Sequence, residues 1–160
     1  MFSLQRNLKN QVILAKREKM DLLTAVEHIV AMAKGSGLKE EFFEKADKYV
    51  KYVAKKMELT KRQSVMMALF VENYYDEYIK IGDFGEYLEC SKTRILQYMS
   101  DIDVLEKREL VICCRSDKRL SYRVPIEVVM AFRNDEKYVP KNISGLSCEE
   151  LFVEIEEICL

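Results

Sequence analysis

The hydrophobic positions follow two regimes along the chain. In the first third they recur with a helical period. Leu22, Val26, Ile29 and Ala33 stand at i, i+4, i+7 and i+11, which is one face of a helix. Upstream, Leu4, Leu8, Val12 and Ala15 carry a similar stripe, and the polar stretch Lys16-Arg17-Glu18-Lys19 is either helix surface or a break. Gly35-Ser36-Gly37 predicts a helix stop. Phe42, Ala46, Tyr49, Val53 and Met57 then mark a second amphipathic helix. Residues 1–58 therefore read as an antiparallel helical hairpin.

From Leu59 the order of elements becomes more informative. Thr60-Lys61-Arg62-Gln63 fits a capping box, in which the Thr hydroxyl and the Gln amide each satisfy a free backbone N–H. The helix it opens points Met66, Leu69, Phe70 and Tyr74 towards a core. Ile79-Lys80-Ile81 is a short β-like run. Asp83 is placed to cap a second helix, residues 83–90, with Glu86 three positions on. Ser91 is placed to cap a third, with Ile95, Met99 and Ile102 at i, i+4 and i+7. The junction Glu89-Cys90-Ser91 is as short as a helix-turn-helix requires.

After the third helix the period changes from 3.6 to 2. Val111 and Cys113 alternate with Ile112 and Cys114, Ser116-Asp117-Lys118 reads as a turn, and Leu120, Tyr122 and Val124 alternate with Arg119, Ser121 and Arg123. Pro125 cannot donate to a ladder and ends the strand. The expected class is mainly α, of α+β type, with one β-hairpin. The order helix, short strand, helix, helix, hairpin resembles the winged-helix fold, a winged helix-turn-helix here with an N-terminal helical extension. The phrase Asp103-Val104-Leu105-Glu106-Lys107-Arg108-Glu109-Leu110-Val111 is similar to the helix-to-wing junction of many members. The winged-helix domain is expected over residues 59–139.

Four phrases extend the likeness: "LTKRQSVMMALF", "DFGEYLECSKTRILQYMSDIDVLEKRELVICC", "YRVPIEVVMAF" and "LSCEELFVEIEEI". Their succession resembles the winged-helix region that precedes the ATPase module in some bacterial AAA-type ATPases. The likeness runs from Leu59 to Ile158. It implies that the chain is the front piece of a longer protein. The ATPase signature G-x-x-x-x-G-K-[ST] does not occur in this sequence, so no loop here cradles phosphates as a P-loop does. No cofactor is expected for this chain; ATP and Mg enter only with a downstream ATPase module. Residues 140–160 read as a linker and an acidic helix leading to that module. Ser147-Cys148-Glu149-Glu150 fits a capping box, and Leu151, Phe152, Ile155 and Ile158 fall on or near one face of the helix it opens. The periodic pattern continues to Leu160 without a stop residue.

Composition narrows the function classes. The chain has 160 residues, 49% of them hydrophobic, which excludes global disorder. Lys+Arg (26) and Asp+Glu (27) nearly cancel, so the protein is not built to coat nucleic acid nonspecifically. The charge is unevenly distributed. Residues 1–60 hold 12 basic and 8 acidic side chains, residues 61–125 hold 11 of each, and residues 126–160 hold 3 basic and 8 acidic. Such asymmetry suggests either an interaction tail or two solvated helices of opposite sign. The longest apolar run, Val65 to Val71, is far shorter than a membrane span, and no signal-peptide pattern opens the chain. Five cysteines without a C-x-x-C pair argue against a disulfide framework or zinc site and make the reducing cytoplasm the expected compartment.

No constellation for catalysis emerges. His28 is the single histidine, lies between Glu27 and Ile29 with no cysteine close in sequence, and reads as a surface or packed helix residue. Cys113 and Cys114 point to opposite faces of a strand, one expected in the core and one partly exposed. Cys90 reads as a small buried hydrophobe. The candidate binding residues lie on the third helix and the wing. Lys92, Thr93, Arg94 and Gln97 fall at the helix N-terminal face, where a helix-turn-helix protein contacts base edges. Arg115, Lys118 and Arg119 flank or form the wing turn and are placed to grip phosphates. Tight phosphate binders make about 6–10 such contacts. Five cations, with Asp101 and Asp117 nearby, fall short of that unless the protein forms a homo-oligomer. Two functions follow. One is a non-catalytic recognition domain that binds a protein partner or substrate and hands it to an attached ATPase module. The other is a stand-alone regulator that binds double-stranded DNA and dimerises through its N-terminal helices.

Overall fold

A computed structural model describes residues 19–116 and 119–140. The stripe at Leu4 to Ala15, Asp117, Lys118 and the C-terminal acidic segment lie outside the described residues. The described residues are mainly helical with one two-stranded antiparallel sheet. Seven α-helices are described: α1 (Leu22–Ala33), α2 (Glu40–Met57), α3 (Lys61–Glu72), α4 (Ile81–Leu88), α5 (Lys92–Ile95), α6 (Met99–Lys107) and α7 (Ile126–Arg133). A 3-10 turn, Leu96–Tyr98, joins α5 to α6, and strands β1 (Ile112–Ser116) and β2 (Arg119–Arg123) precede α7.

Helix α1 is capped by Asp21, whose carboxylate accepts from Thr24 N at 2.8 Å. Its stripe Leu22, Val26, Ile29 and Ala33 is buried, as its spacing predicts. The glycine stop holds too. Gly35 and Gly37 have φ of +67° and +61°, a region that L side chains seldom enter. Their amides donate to Tyr87 O at 3.0 Å and Leu88 O at 2.7 Å, which satisfies carbonyls left open at the end of α4. In α2 the fully buried position next to Ala46 and Val53 is Val50; Tyr49 sits one position off the face, half-buried.

Helix α3 carries the predicted capping box in full. Thr60 Oγ1 accepts from Gln63 N at 3.2 Å, and Gln63 Oε1 accepts from Thr60 N at 3.1 Å. Every residue from Ser64 to Val71 is buried, so α3 is enclosed on all sides. It packs against α1, α2 and α6, while α1 also touches α7. One continuous core therefore joins the first two helices to the rest. Its densest point is Phe70, whose ring meets Phe84 edge-on at 5.0 Å and Tyr122 at 5.6 Å. Burial pushes the Tyr122 phenol well above its ordinary 10.0.

Polar ties close the same core. Asp135, with a φ of +55°, follows the end of α7, and its carboxylate accepts from Leu22 N at 3.0 Å and from the Tyr52 hydroxyl at 2.9 Å. Burial, followed by the hydrogen bond to the Asp135 carboxylate, raises the Tyr52 pKa. Arg108 donates to Glu58 O at 2.6 Å and Met57 O at 2.7 Å, closing the C-terminus of α2.

Four expectations need correction. Helix α4 starts at Ile81 after an extended Lys80, so Asp83 is a first-turn residue and not the cap. A carboxylate there still complements the helix dipole. Of the β-like run, only Ile79 pairs, exchanging two 2.8 Å bonds with Tyr122. The third helix is interrupted: four residues of α5 give way to the 3-10 turn before α6 resumes. Cys113 and Cys114 are both half-buried, as is Cys90, so the division into one core and one exposed thiol does not hold.

Candidate functional site

The hairpin and the third helix are anchored from behind and left open in front. Ser91 caps α5 as expected, its hydroxyl accepting from Arg94 N at 3.1 Å. Ile95 alone among the α5 residues is buried. Behind the 3-10 turn stands Arg62 of α3. Its Nη2 donates to Gln97 O at 2.8 Å, its guanidinium lies 4.6 Å from the Tyr98 ring centre, and it pairs with Asp101 Oδ2 at 3.1 Å. That carboxylate oxygen is buried and accepts no aligned hydrogen bond, so the Arg62 charge is its compensation. Burial raises the Tyr98 pKa, against the opposing charge of Arg62.

In front lies a groove of about 750 Å³ between α5, the start of α4 and the hairpin. Its floor is apolar, formed by Ile81, Ile95, Leu96, Met99 and Leu120. Leu96 is 62% exposed and Leu120 47% exposed. Its rim is cationic, with Lys80, Lys92 and Arg119. Tyr78, 63% exposed, stands at one end. Among the described residues no acidic side chain lines it.

Of the residues singled out from the sequence, the groove brings together Lys92 and Arg119. Thr93, Arg94, Gln97 and Arg115 are exposed on the surrounding surface but do not line it. Arg119 is the first residue of β2, opposite Ser116, and Arg115 sits opposite Leu120. Lys118 lies outside the described residues. Sequence reasoning missed Lys80, Tyr78 and Leu96, and it noted Leu120 only as part of the alternation in the hairpin. A signal for Leu96 was present, because it is a large apolar residue off the Ile95, Met99, Ile102 stripe.

Elsewhere, a hollow of about 350 Å³ is lined by Glu72, Asp76 and Asp83 over Val30 and Leu69. Among the described residues no group of three or more His, Cys, Asp or Glu side chains is arranged to hold a metal ion. His28 is half-buried and stacks on Tyr49, with ring centres 4.3 Å apart. No described helix is long and apolar enough to cross a membrane. Comparison with known proteins gives no matching family model, no match among curated proteins and no match among solved structures.

Proposed function

We propose that this chain is a non-catalytic recognition domain of the winged helix-turn-helix type that binds a protein partner through the groove between α5 and the hairpin. In this reading it forms the N-terminal part of an AAA-type ATPase in the cytoplasm, and ATP and Mg bind only to the downstream module. The order α3, Ile79 bridge, α4, α5 with α6, and hairpin supports the winged-helix assignment. The observation that carries the function is the exposed apolar floor. Leu96 and Leu120 stand open to solvent beside Lys80, Lys92 and Arg119. A floor of this kind suits the apolar face of a helix, and the cationic rim suits acidic side chains flanking that face.

Double-stranded DNA is the weaker reading. Lys80, Lys92 and Arg119 on the rim with Arg94 and Arg115 beside it make five described cations, short of the roughly 6–10 phosphate contacts of tight binders, and leucines on the floor contribute nothing to phosphate binding. Titrating the full chain with an acidic amphipathic helical peptide, and in parallel with labelled duplex DNA across a salt series, separates the two. The expected result is saturable peptide binding that Leu96→Asp weakens by about tenfold or more, as loss of one anchor of about 1.5 kcal/mol predicts. Peptide binding indifferent to Leu96→Asp, together with salt-steep DNA binding lost in Arg94→Ala and Arg119→Ala, would overturn the protein-recognition reading in favour of DNA.

A further inference from the structure

The groove's chemistry matches a segment of the same chain. Residues 148–158 carry Leu151, Phe152, Ile155 and Ile158 at helical spacing. Glu150, Glu154 and Glu157 recur at i, i+4 and i+7 along a neighbouring face. An apolar stripe flanked by carboxylates is the complement of an apolar floor rimmed by Lys80, Lys92 and Arg119. A three-turn helix is about 16 Å long and 10–12 Å across, so a groove of about 750 Å³ admits its apolar face and leaves the rest outside. The other terminal segment does not fit. Residues 1–18 hold Arg6, Lys9, Lys16 and Arg17 against Glu18 alone, and would meet the rim with like charge.

The tether is long enough. Tyr138 packs beside Ile112, Cys113 and Pro125 at the base of the hairpin. The groove lies at the other end of β1, against Ser116. A five-residue strand covers about 13 Å from first to last residue. Residues 141–147 span up to about 23 Å when extended. A short tether also raises the local concentration of the segment to about the millimolar range.

We propose that residues 148–158 dock into the groove between α5 and the hairpin as an amphipathic helix. The proposal rests on the reading of the groove as a recognition surface and names its resting occupant. Docking in cis makes the partner compete with a tethered segment.

Hydrogen–deuterium exchange of the full chain tests it. Residues 148–158 are expected to exchange at least about tenfold more slowly in the unmodified chain than in Leu120→Asp, whose site is half exposed and outside the core. Phe152→Asp is expected to remove the protection in the same way. Combining Glu150→Lys, Glu154→Lys and Glu157→Lys is expected to release the segment. Adding Lys80→Glu, Lys92→Glu and Arg119→Glu to that variant is expected to restore protection, a rescue that a free-standing helix would not show. A synthetic peptide of residues 145–160 is expected to bind Phe152→Asp about tenfold more tightly than the unmodified chain. Equal exchange in all variants, with the peptide binding both chains alike, would overturn cis docking and leave the recognition groove standing. Equal exchange with the peptide binding neither chain would count against both. Protection that vanishes on dilution, with a dimer in sedimentation, would assign the occupant to a second copy and overturn docking in cis.

Discussion

Helix α3 and the groove beside α5 both present closely spaced apolar side chains, and they treat them in opposite ways. In α3 every residue from Ser64 to Val71 is buried by α1, α2, α6 and their neighbours. Around the groove, Leu96 and Leu120 remain 62% and 47% exposed, although Ile95 and Tyr122, each within two positions of one of them, are almost fully buried. Among the described residues the first set is fully covered and the second is left partly open. The anchoring differs as well. Helix α3 is held by packing on all sides, whereas the 3-10 turn below the groove is held from behind by Arg62, which donates to Gln97 O and lies over the Tyr98 ring. An apolar surface kept open on a well-braced base is what a binding site requires, and an apolar surface closed on all sides is what stability requires.

If that contrast is right, mutations in the two regions separate into different readouts. The largest effect on stability belongs to Phe70→Ala. It removes a fully buried ring that contacts both Phe84 and Tyr122, and thereby loosens α4 and the hairpin together. Urea denaturation is expected to register a loss of about 3–5 kcal/mol. A loss below about 1 kcal/mol would mean that α3 is not the centre of the core. Next comes Arg108→Ala. Two carbonyls at the end of α2 lose a charged donor, at an expected loss of about 1–2 kcal/mol given their partial exposure. Arg108→Lys is expected to recover less than half, because an ammonium cannot fork across both oxygens. Smaller again is Thr60→Ala, which dismantles the capping box at the start of α3 and is expected to lower stability by about 1 kcal/mol. Thr60→Ser is expected to restore it, read from the same urea midpoints.

The sequence displayed the buried region far better than the open one. The stripe Leu22, Val26, Ile29, Ala33, the capping box at Thr60, the glycine stop and the Ser91 cap all follow from rules that act within a few residues, and each is present. Where tertiary contacts decide, local rules failed. Asp83 has the chemistry of a cap, yet Lys80 holds the extended backbone that starts α4 two residues earlier. The interruption after Ile95 coincides with Arg62, 35 positions away, seizing the Gln97 carbonyl, and no periodicity reports such a contact. Alternation in β2 put Leu120 and Tyr122 on one face, and the pairing agrees; what alternation does not supply is whether anything covers that end of the hairpin. For the groove, Lys92 and Arg119 were legible because exposed cations on a short helix and a wing attract attention. Lys80 was not, because its role depends on which elements meet around it, and Leu96 showed only as an apolar residue off the helical stripe.

The smallest expected effect on stability is the one that sharpens the contrast most. Leu120→Ser replaces a side chain that is 47% exposed at the end of the hairpin, opposite Arg115. Half of its apolar surface is already in water, and its cross-strand partner is charged, so little packing is lost when it is shortened. Urea denaturation is expected to move by no more than about 0.5 kcal/mol, the range of ordinary surface substitutions. The same change removes part of the groove floor, and affinity for an acidic amphipathic peptide is expected to fall by about 1–2 kcal/mol, which is roughly a factor of 5 to 30. The two measurements must diverge for the groove to be a surface kept for binding. If Leu120→Ser instead destabilised the fold on the scale of Phe70→Ala and left peptide affinity unchanged, Leu120 would belong with the α3 core, and the open floor would lose one of its two exposed leucines.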